Sequence, residues 1–137
     1  MIDHVGFSVS DYTRAKTFYE KALAPLGYAL IAEVGPPHSE QPAAGFGSGG
    51  KPDLWIGEAP SHASPASGGG IASGPLHIAI LAKDRAAVDG FHRTALAARG
   101  KDNGPPGLRP HYHANYYGAF VLDPDGHNIE AVCHAPG

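Results

Sequence analysis

The fold is decided by residues 75–100, which read PLHIAILAKDRAAVDGFHRTALAARG. A short apolar strand comes first, a polar turn follows at Asp84, and an amphipathic helix ends at Gly100. Apolar residues recur at helical spacing in the second part, at Ala87, Val88, Phe91, Ala95 and Leu96. The alternation in the first part places His77 on the strand face opposite Ile78 and Ile80.

The N-terminal part of the chain repeats this unit at one constant offset. The matched pairs are His4 with His77, Asp11 with Asp84, Phe18 with Phe91, and Gly27 with Gly100. Further alanine matches are inflated by an alanine-rich composition, but histidine, aspartate, phenylalanine and glycine matches at a single offset are harder to dismiss. We therefore interpret the chain as two copies of one unit, each beginning with a strand that carries a histidine.

Periodicity and turn residues extend this interpretation to the remaining elements. The first unit is predicted to contain strands at Ile2–Val9, Tyr28–Val34, Ala43–Gly47 and Leu54–Gly57, with a helix capped by Ser10 or Asp11 after the first strand. The second unit is predicted to end with strands at Tyr116–Leu122 and Asn128–His134, joined by a sharp turn at Asp123–Gly126. Glycine and proline predict that the strand at Lys101–Pro110 is either distorted or lost.

These elements form one domain, residues 1–137, with a first module at about 1–60, a small polar linker at 61–74 and a second module at about 75–137. The formal net charge of -3 gives no electrostatic reason to bind nucleic acid or an anionic membrane. The lone Cys133 rules out a disulfide within the chain. No apolar run is long enough to span a membrane and no signal peptide is evident, so we expect a cytoplasmic protein.

The segments IDHVGFSV, AKTFYEKAL, LHIAIL and FVLDPDGHNIEAV resemble the vicinal oxygen chelate superfamily, which contains the glyoxalases, bleomycin-resistance proteins and extradiol dioxygenases. The resemblance implies an α+β fold in which two βαβββ modules form a cupped, eight-stranded mixed sheet with helices on its outer face. It also implies a divalent metal on the concave face. Matched residue by residue, the implied metal ligands are His4, His77 and Glu130.

Strand parity supports this ligand set independently. His4, His77 and Glu130 each lie opposite the apolar residues that should pack beneath the helices. Two imidazoles and one carboxylate suit Ni, Co, Mn, Fe or Zn and leave coordination positions open. A single histidine is more often structural, but the repeated strand position favours a metal site.

The fourth ligand position of the superfamily falls on Trp55, which cannot bind a metal. In this respect the chain is similar to the fosfomycin-resistance thiol transferases, although it has LRPHYHANYYG where they place a basic, potassium-binding segment. Trp55 is either a substrate-stacking residue or part of the core. Glu58 is the nearest carboxylate, but parity puts it opposite Trp55, so we exclude it from the ligand set.

A loop rich in histidine and tyrosine is the second candidate cluster. We predict that His113 and Tyr117, with Glu130, are catalytic, and that Arg109, His111, Tyr116 and Trp55 bind the substrate. The competing interpretation is that these rings close the edge of the domain and that Arg109 is an exposed surface residue. His127, in the last hairpin, is expected to be exposed.

The leading functional hypothesis is a metal-dependent, glyoxalase-like lyase or isomerase that acts on a small oxygen-rich metabolite. Thiol transfer and ring-cleaving dioxygenation use related chemistry and stay open. The alternative is a metal-free protein that sequesters an aromatic drug or metabolite. A homodimer is also expected, because the superfamily often completes its sites with ligands from two chains.

Overall fold

The computed structural model describes residues 1–58 and 75–137, so the predicted linker at 61–74 lies outside the described residues. The elements in chain order are β1 (Val5–Val9), α1 (Tyr12–Leu23), β2 (Ala29–Val34), β3 (Ala43–Ser48), β4 (Lys51–Glu58), β5 (His77–Leu81), α2 (Arg85–Ala97), β6 (Lys101–Leu108), β7 (Tyr117–Leu122) and β8 (Asn128–Cys133). A short 3-10 helix at Ala24–Leu26 extends α1. Neither α1 nor α2 is long and apolar enough to cross a membrane.

The strands form two mixed sheets with the same topology. The first sheet has the order β1-β4-β3-β2 and the second has the order β5-β8-β7-β6. In each sheet the first and last strands of the module pair in parallel, and the other neighbours are antiparallel. The predicted α+β fold with two βαβββ modules is therefore confirmed. Its eight strands are divided between two hydrogen-bonded sheets, with β1 and β5 at sheet edges.

The two helices begin in the same way because equivalent aspartates cap them. Asp11 Oδ1 accepts a hydrogen bond of 2.9 Å from the backbone N–H of Arg14. Asp84 Oδ1 accepts one of 2.7 Å from Ala87. Each carboxylate satisfies a first-turn donor that has no partner inside the helix. The duplicated aspartate of the sequence therefore has the same structural role in both modules.

The apolar stripes of α1 and α2 cover one face of the sheets. Phe18, Tyr19 and Phe91 are fully buried there, and the two helices contact each other. On the last strand, Ile129 and Ala131 point into this core. The opposite sheet face is thus left for polar side chains, as strand parity predicts.

Strand β6 is present but distorted, which was one of the two predicted outcomes. Its pairing with β7 shifts register between Asp102 and Gly104 and again between Gly104 and Gly107. Gly104 has a φ of 148°, a conformation that side chains rarely allow. Prolines 105 and 106 lack the N–H groups that a regular ladder requires.

The hairpin between β7 and β8 joins the second module to the first. Tyr19 of α1 donates a buried hydrogen bond of 2.5 Å to Asp123 Oδ2. The Ser10 backbone N–H donates to Asp125 Oδ2 at 3.2 Å. The Phe7 ring meets the His127 ring edge-on at a centroid distance of 4.9 Å. One turn of the second module therefore contacts both β1 and α1.

His127 is buried in this contact, so the expectation that it would be exposed is wrong. Its side chain is covered by Phe7 of β1, a residue far away in sequence. Its Nδ1 accepts a 3.0 Å hydrogen bond from the backbone N–H of Leu76, and its Nε2 lies 3.3 Å from the carbonyl oxygen of Ser8. An imidazole that accepts through Nδ1 can donate through Nε2 in its neutral form, which suits this position.

Candidate active site

Glu130 is the central group of the candidate site. It lies in the middle of β8 and points away from the helices, yet its side chain is only 2% exposed. Gly118 on the adjacent strand makes room for the carboxylate, since a Cβ there would lie 3.1 Å from Glu130 Oε1. Burial of a carboxylate is costly unless its oxygens have partners, so the surrounding donors decide its chemistry.

His77 is the first partner of Glu130. The two Cα positions lie on neighbouring strands, and His77 Nε2 is 3.0 Å from Glu130 Oε2. The imidazole is 53% exposed, so it connects the buried carboxylate to the solvent side of the sheet. The structure therefore brings together two of the three predicted metal ligands.

Tyr116 is the second partner. Its hydroxyl donates a hydrogen bond to Glu130 Oε1, the oxygen that His77 does not contact. Burial, together with the neighbouring Glu130 carboxylate, raises the pKa of Tyr116 to about 12. The phenol therefore keeps its proton at neutral pH and holds the carboxylate in one orientation.

The predicted histidine and tyrosine cluster forms around Tyr116. The His113 Nε2 and His134 Nδ1 atoms are 2.6 Å apart. The Tyr116 ring meets both imidazoles edge-on, with centroid distances of 5.5 Å and 5.3 Å. Tyr112 packs on the Tyr116 ring and contacts His111 in turn, at the exposed end of the cluster. His113 and His111 thus lie one and two contacts away from Tyr116.

Arg109 lies at the rim of the same region. Its guanidinium donates to the carbonyl oxygens of Pro105 at 2.8 Å and Leu108 at 3.3 Å. It also lies over the Phe120 ring, 5.6 Å from the centroid, and that ring is 6.1 Å from the His77 ring. The backbone carbonyls hold the arginine beside the candidate site.

His4 is not joined to the other two predicted ligands. Strand β1 begins at Val5, so His4 lies just before the regular ladder and is 59% exposed. Its Nδ1 is 2.7 Å from Asp3 Oδ1. It does line a pocket of about 230 Å³ together with Ala79, the residue that pairs with Glu130.

Trp55 occupies the place in the first module that Glu130 occupies in the second. Its register partner on β1 is Gly6, and the partner of Glu130 on β5 is Ala79, the position equivalent to Gly6 in the repeat. Gly45 on the other side makes room for the indole, because a Cβ there would lie 2.8 Å from Trp55 Cζ2. Trp55 is half-buried on the face opposite the helices.

Glu58 lies on the helix side of the sheet, as parity predicted. Its Oε2 accepts a 3.3 Å hydrogen bond from the backbone N–H of Tyr12 at the start of α1. This carboxylate therefore supports the first helix. The absence of a metal-binding side chain at Trp55 is not compensated by Glu58.

Tyr117 also lies on the helix side of the sheet. Its hydroxyl donates a 2.7 Å hydrogen bond to Asp89 of α2, and the Arg85 guanidinium lies over its ring. The hydrogen bond to Asp89 and partial burial raise its pKa. The structure does not bring Tyr117 to Glu130, so its predicted catalytic role has no geometric support.

Two neighbours of the site, His134 and Phe120, were not among the predicted site residues. Both could be inferred from the strands: His134, just after β8, shares the parity of Glu130, and Phe120 is the β7 residue in register with Glu130. Register between β7 and β8 follows from the tight turn at Asp123–Gly126. Counting outward from that turn would have found both residues.

Two of the three side chains in the predicted ligand set lie together. The Glu130–His77 pair offers a carboxylate and an imidazole, which suit a first-row transition metal. Among residues 1–58 and 75–137, no three His, Cys, Asp or Glu side chains are grouped closely enough to hold a metal ion. A complete site therefore needs a third ligand to join the pair.

Comparison with known proteins agrees with the fold. Residues 1–131 match the family model of the Glyoxalase/Bleomycin resistance protein/Dioxygenase superfamily. The chain belongs to this superfamily. No curated protein sequence matches the chain.

Several solved structures share the architecture. A glyoxalase/bleomycin resistance protein from Albidiferax ferrireducens T118 is 24% identical with a TM-score of 0.72, and the match covers 96% of this chain and 97% of that one. A glyoxalase-related enzyme from Fulvimarina pelagi is 19% identical with a TM-score of 0.69, covering 97% of this chain and 87% of that one.

Glyoxalase I from Zea mays is 22% identical with a TM-score of 0.67, covering 96% of this chain and 45% of that one. The chain thus spans less than half the length of the maize protein. At these identities the likeness shows the fold alone.

Proposed function

We propose that this protein is a divalent-metal-dependent enzyme that acts on a small oxygen-rich metabolite, with chemistry of the lyase or isomerase type. The observation that carries the proposal is the buried Glu130 carboxylate with His77 Nε2 3.0 Å away, on the sheet face opposite the helices. A buried carboxylate paired with a half-exposed imidazole, in a superfamily that includes glyoxalases, is suited to binding a metal and to moving a proton.

The proposed metal ligands are His77, Glu130 and His4, with Ni, Co, Mn, Fe or Zn as the ion. His4 is exposed and lines the same pocket as Ala79, and binding of an ion by all three ligands would require it to leave Asp3 and turn towards the pair. A bound ion would polarise substrate oxygens and stabilise the negative charge that develops on them.

Glu130 is the proposed acid–base group. Tyr116 donates to Oε1 and keeps its own proton, and Oε2, which contacts His77, is the oxygen proposed to accept a proton from a substrate carbon or hydroxyl next to a carbonyl group. His113 and His134 lie against the Tyr116 ring and provide imidazoles at the solvent side of the cluster. Arg109, Phe120 and the exposed Tyr112 would line the substrate's path.

Metal analysis tests this proposal. Protein purified without added metal would be titrated with Ni(II), Co(II), Mn(II) and Fe(II), and the stoichiometry measured by calorimetry and elemental analysis. We expect one ion per chain in the wild type and loss of binding in Glu130→Ala. Glu58→Ala is the matched control, because this carboxylate lies on the helix side. Binding that is unchanged by Glu130→Ala would contradict the proposal.

A homodimer is the proposed assembly. Exposed apolar side chains lie just before β1, at Ile2, and at the end of β5, at Leu81, and the unpaired edges of these strands favour contact with another chain. Sedimentation measures the oligomeric state. A dimer would also allow His4 of one chain to complete the Glu130–His77 pair of the other.

A mixing experiment distinguishes a metal site shared between two chains from one built within a single chain. His4→Ala and Glu130→Ala chains would be refolded together and their Co(II) binding measured. If ligands come from two chains, half of the dimers are mixed and each has one intact site, so about a quarter of wild-type binding returns. If each site is built within one chain, mixing restores no binding.

Sequestration of an aromatic ligand without metal is the second candidate function. The observation that favours it is the half-buried Trp55 ring, which lies between Gly6 and Gly45 on the face opposite the helices. Tryptophan fluorescence distinguishes the two functions. Quenching by a planar ligand in the presence of a chelator would support sequestration, and quenching that requires added metal would support the enzyme.

A further inference from the structure

A second pocket lies outside the candidate active site, between α1 and the C-terminal end of α2. Its volume is about 370 Å³, within the range of about 300–1,000 Å³ found for small-molecule sites. Residues 13, 14, 17, 18 and 21 of α1 form one side, and residues 97–99 form the other. We call this feature the helix pocket.

The helix pocket is strongly cationic for a chain of net charge -3. Its lining includes Arg14, Lys21 and Arg99 against a single carboxylate, Asp11, which is already engaged as the cap of α1. Within residues 1–58 and 75–137, Lys21 and Arg99 form no ion pair. Arg14 Nη2 lies 3.9 Å from Asp125 Oδ1 and bonds to Ser10. Two of the three cations are thus available to an anion.

The backbone of Arg99 is the second observation. Arg99 has a φ of 75° and stands immediately after the α2 cap residue Ala98, where helices usually place a glycine. At this helix end the backbone N–H of Arg99 donates to the carbonyl oxygen of Leu96 at 3.1 Å, and that of Gly100 donates to the carbonyl oxygen of Ala95 at 2.8 Å. Arginine is disfavoured in this conformation, yet it is present, and its side chain lines the pocket.

The shape and chemistry of the pocket define its ligand. The guanidinium groups and the Lys21 ammonium suit a phosphate group, and the hydroxyls of Thr13 and Thr17 add donors on the same helix face. The exposed Ala97 methyl group and the edge of the otherwise buried Phe18 ring provide a small apolar surface beside them. We propose that the helix pocket binds a small metabolite that has a dianionic phosphate head group and a short apolar body.

A ligand in this position would contact both modules. Arg14 and Lys21 belong to the helix of the first module, and Arg99 belongs to the second. Since a ligand that binds only the folded state stabilises it, occupancy should tighten the packing of α1 against α2. The site is separate from Glu130 and does not depend on the proposed catalytic function.

Phenyl phosphate is the probe, titrated by calorimetry at low ionic strength. We expect saturable binding of one molecule per chain and weakening by about tenfold in Arg99→Gly, because a charge-assisted hydrogen-bond donor is lost. Without ligand, Arg99→Gly should have a higher unfolding midpoint, since glycine suits the left-handed position. Arg93→Ala, which removes the same charge from α2 outside the pocket, should change the affinity by less than about twofold.

Other variants and probes keep the proposal falsifiable. Lys21→Ala tests the same pocket from α1 and should also weaken phenyl phosphate binding. Benzoate, with a single charge, should bind more weakly than phenyl phosphate, and equal binding would overturn the dianion assignment. Three results would overturn the assignment of the helix pocket. They are absence of saturable phenyl phosphate binding, equal loss of affinity in Arg99→Gly and Arg93→Ala, and loss of binding in Glu130→Ala alone. The proposal would also be overturned if Arg99→Gly had a lower unfolding midpoint and an unchanged affinity for phenyl phosphate, because Arg99 would then serve helix stability.

Discussion

In the Tyr116–Glu130–His77 group, the neighbouring side chains set the orientation and the hydrogen bonding of a buried carboxylate. Glu130 is buried, with Tyr116 on one oxygen and His77 on the other. Tyr116 fixes the orientation, and the exposed imidazole of His77 links the group to solvent. Because both partners are required by a buried carboxylate, removing either one should affect the protein even when no substrate or metal is present.

Tyr116→Phe should therefore destabilise the fold. The substitution leaves Glu130 Oε1 buried without its donor, which costs about 1–3 kcal/mol of unfolding free energy. Urea denaturation monitored by circular dichroism measures the change. Tyr112→Phe is the control, because Tyr112 is exposed and its expected cost is less than about 0.5 kcal/mol. Equal stability of the two variants would contradict the role assigned to Tyr116.

Alkaline pH should weaken the fold through its tyrosines. Burial, aided by a nearby carboxylate, raises the pKa of Tyr12, Tyr28 and Tyr116 from 10.0 to about 12. A pKa raised on folding contributes stability below the unfolded value, and that contribution is lost as pH rises through the folded value. Stability should therefore decline between pH 10 and about 12. Denaturation at several pH values measures this, and Tyr116→Phe should show a shallower decline.

At the scale of single elements, the duplicated glycines have different structural roles. Gly27 has a φ of 80° and ends the short 3-10 helix after α1. At the end of α2 the positive φ belongs to Arg99, and Gly100 is needed for space. A Cβ at Gly100 would lie 2.5 Å from Val121 Cγ1 and 2.9 Å from Phe18 Cε2. One sequence match therefore conceals two physical requirements.

Gly100→Ala should be destabilising for this reason. The added methyl group forces Val121, Phe18 or the end of α2 to move, at a cost of about 1–3 kcal/mol. Thermal unfolding by calorimetry is the measurement. Gly35→Ala is the matched control, because a Cβ at Gly35 meets no atom within 4 Å. A Gly100→Ala protein as stable as Gly35→Ala would show that α2 does not pack as closely as described.

Local signals in the sequence predicted the elements well. Asp11 and Asp84 were identifiable as helix caps because a cap interacts with a backbone N–H three residues away. The distortion of β6 followed from its glycines and prolines. Tyr117 was assigned together with Tyr116, although adjacent residues of a strand point to opposite faces and only Tyr116 shares the parity of Phe120.

At the scale of the whole molecule, the division into two modules was accessible from the repeat, and the Glu130–His77 pair was implied by the family resemblance and supported by strand parity. The burial of His127 was not accessible, because it depends on Phe7 in the other module. The position of His4 also depends on where β1 begins and on how the two edge strands face each other. Long-range packing of this kind leaves no periodic signal in one sequence.

Tyr19→Phe tests the contact between modules. Removing the hydroxyl leaves Asp123 Oδ2 buried without its donor, at a cost of about 1–3 kcal/mol. Tyr28→Phe is the control, because it removes the same hydroxyl group from a hydrogen bond to Asp53 that lies within the first module. Denaturation followed by near- and far-ultraviolet circular dichroism should show a larger loss for Tyr19→Phe. An equal loss of unfolding free energy in the two variants would show that the contact between modules stabilises the fold no more than a contact within one module.

The β7–β8 hairpin contacts the first module through Asp123, Asp125 and His127, none of which needs the covalent connection between the halves. Polypeptides 1–58 and 75–137, expressed separately and then combined, should therefore reassociate into a noncovalent complex. The dissociation constant of the two polypeptides would then measure the strength of the contact between modules. It would also show whether the two modules stay together without a covalent link.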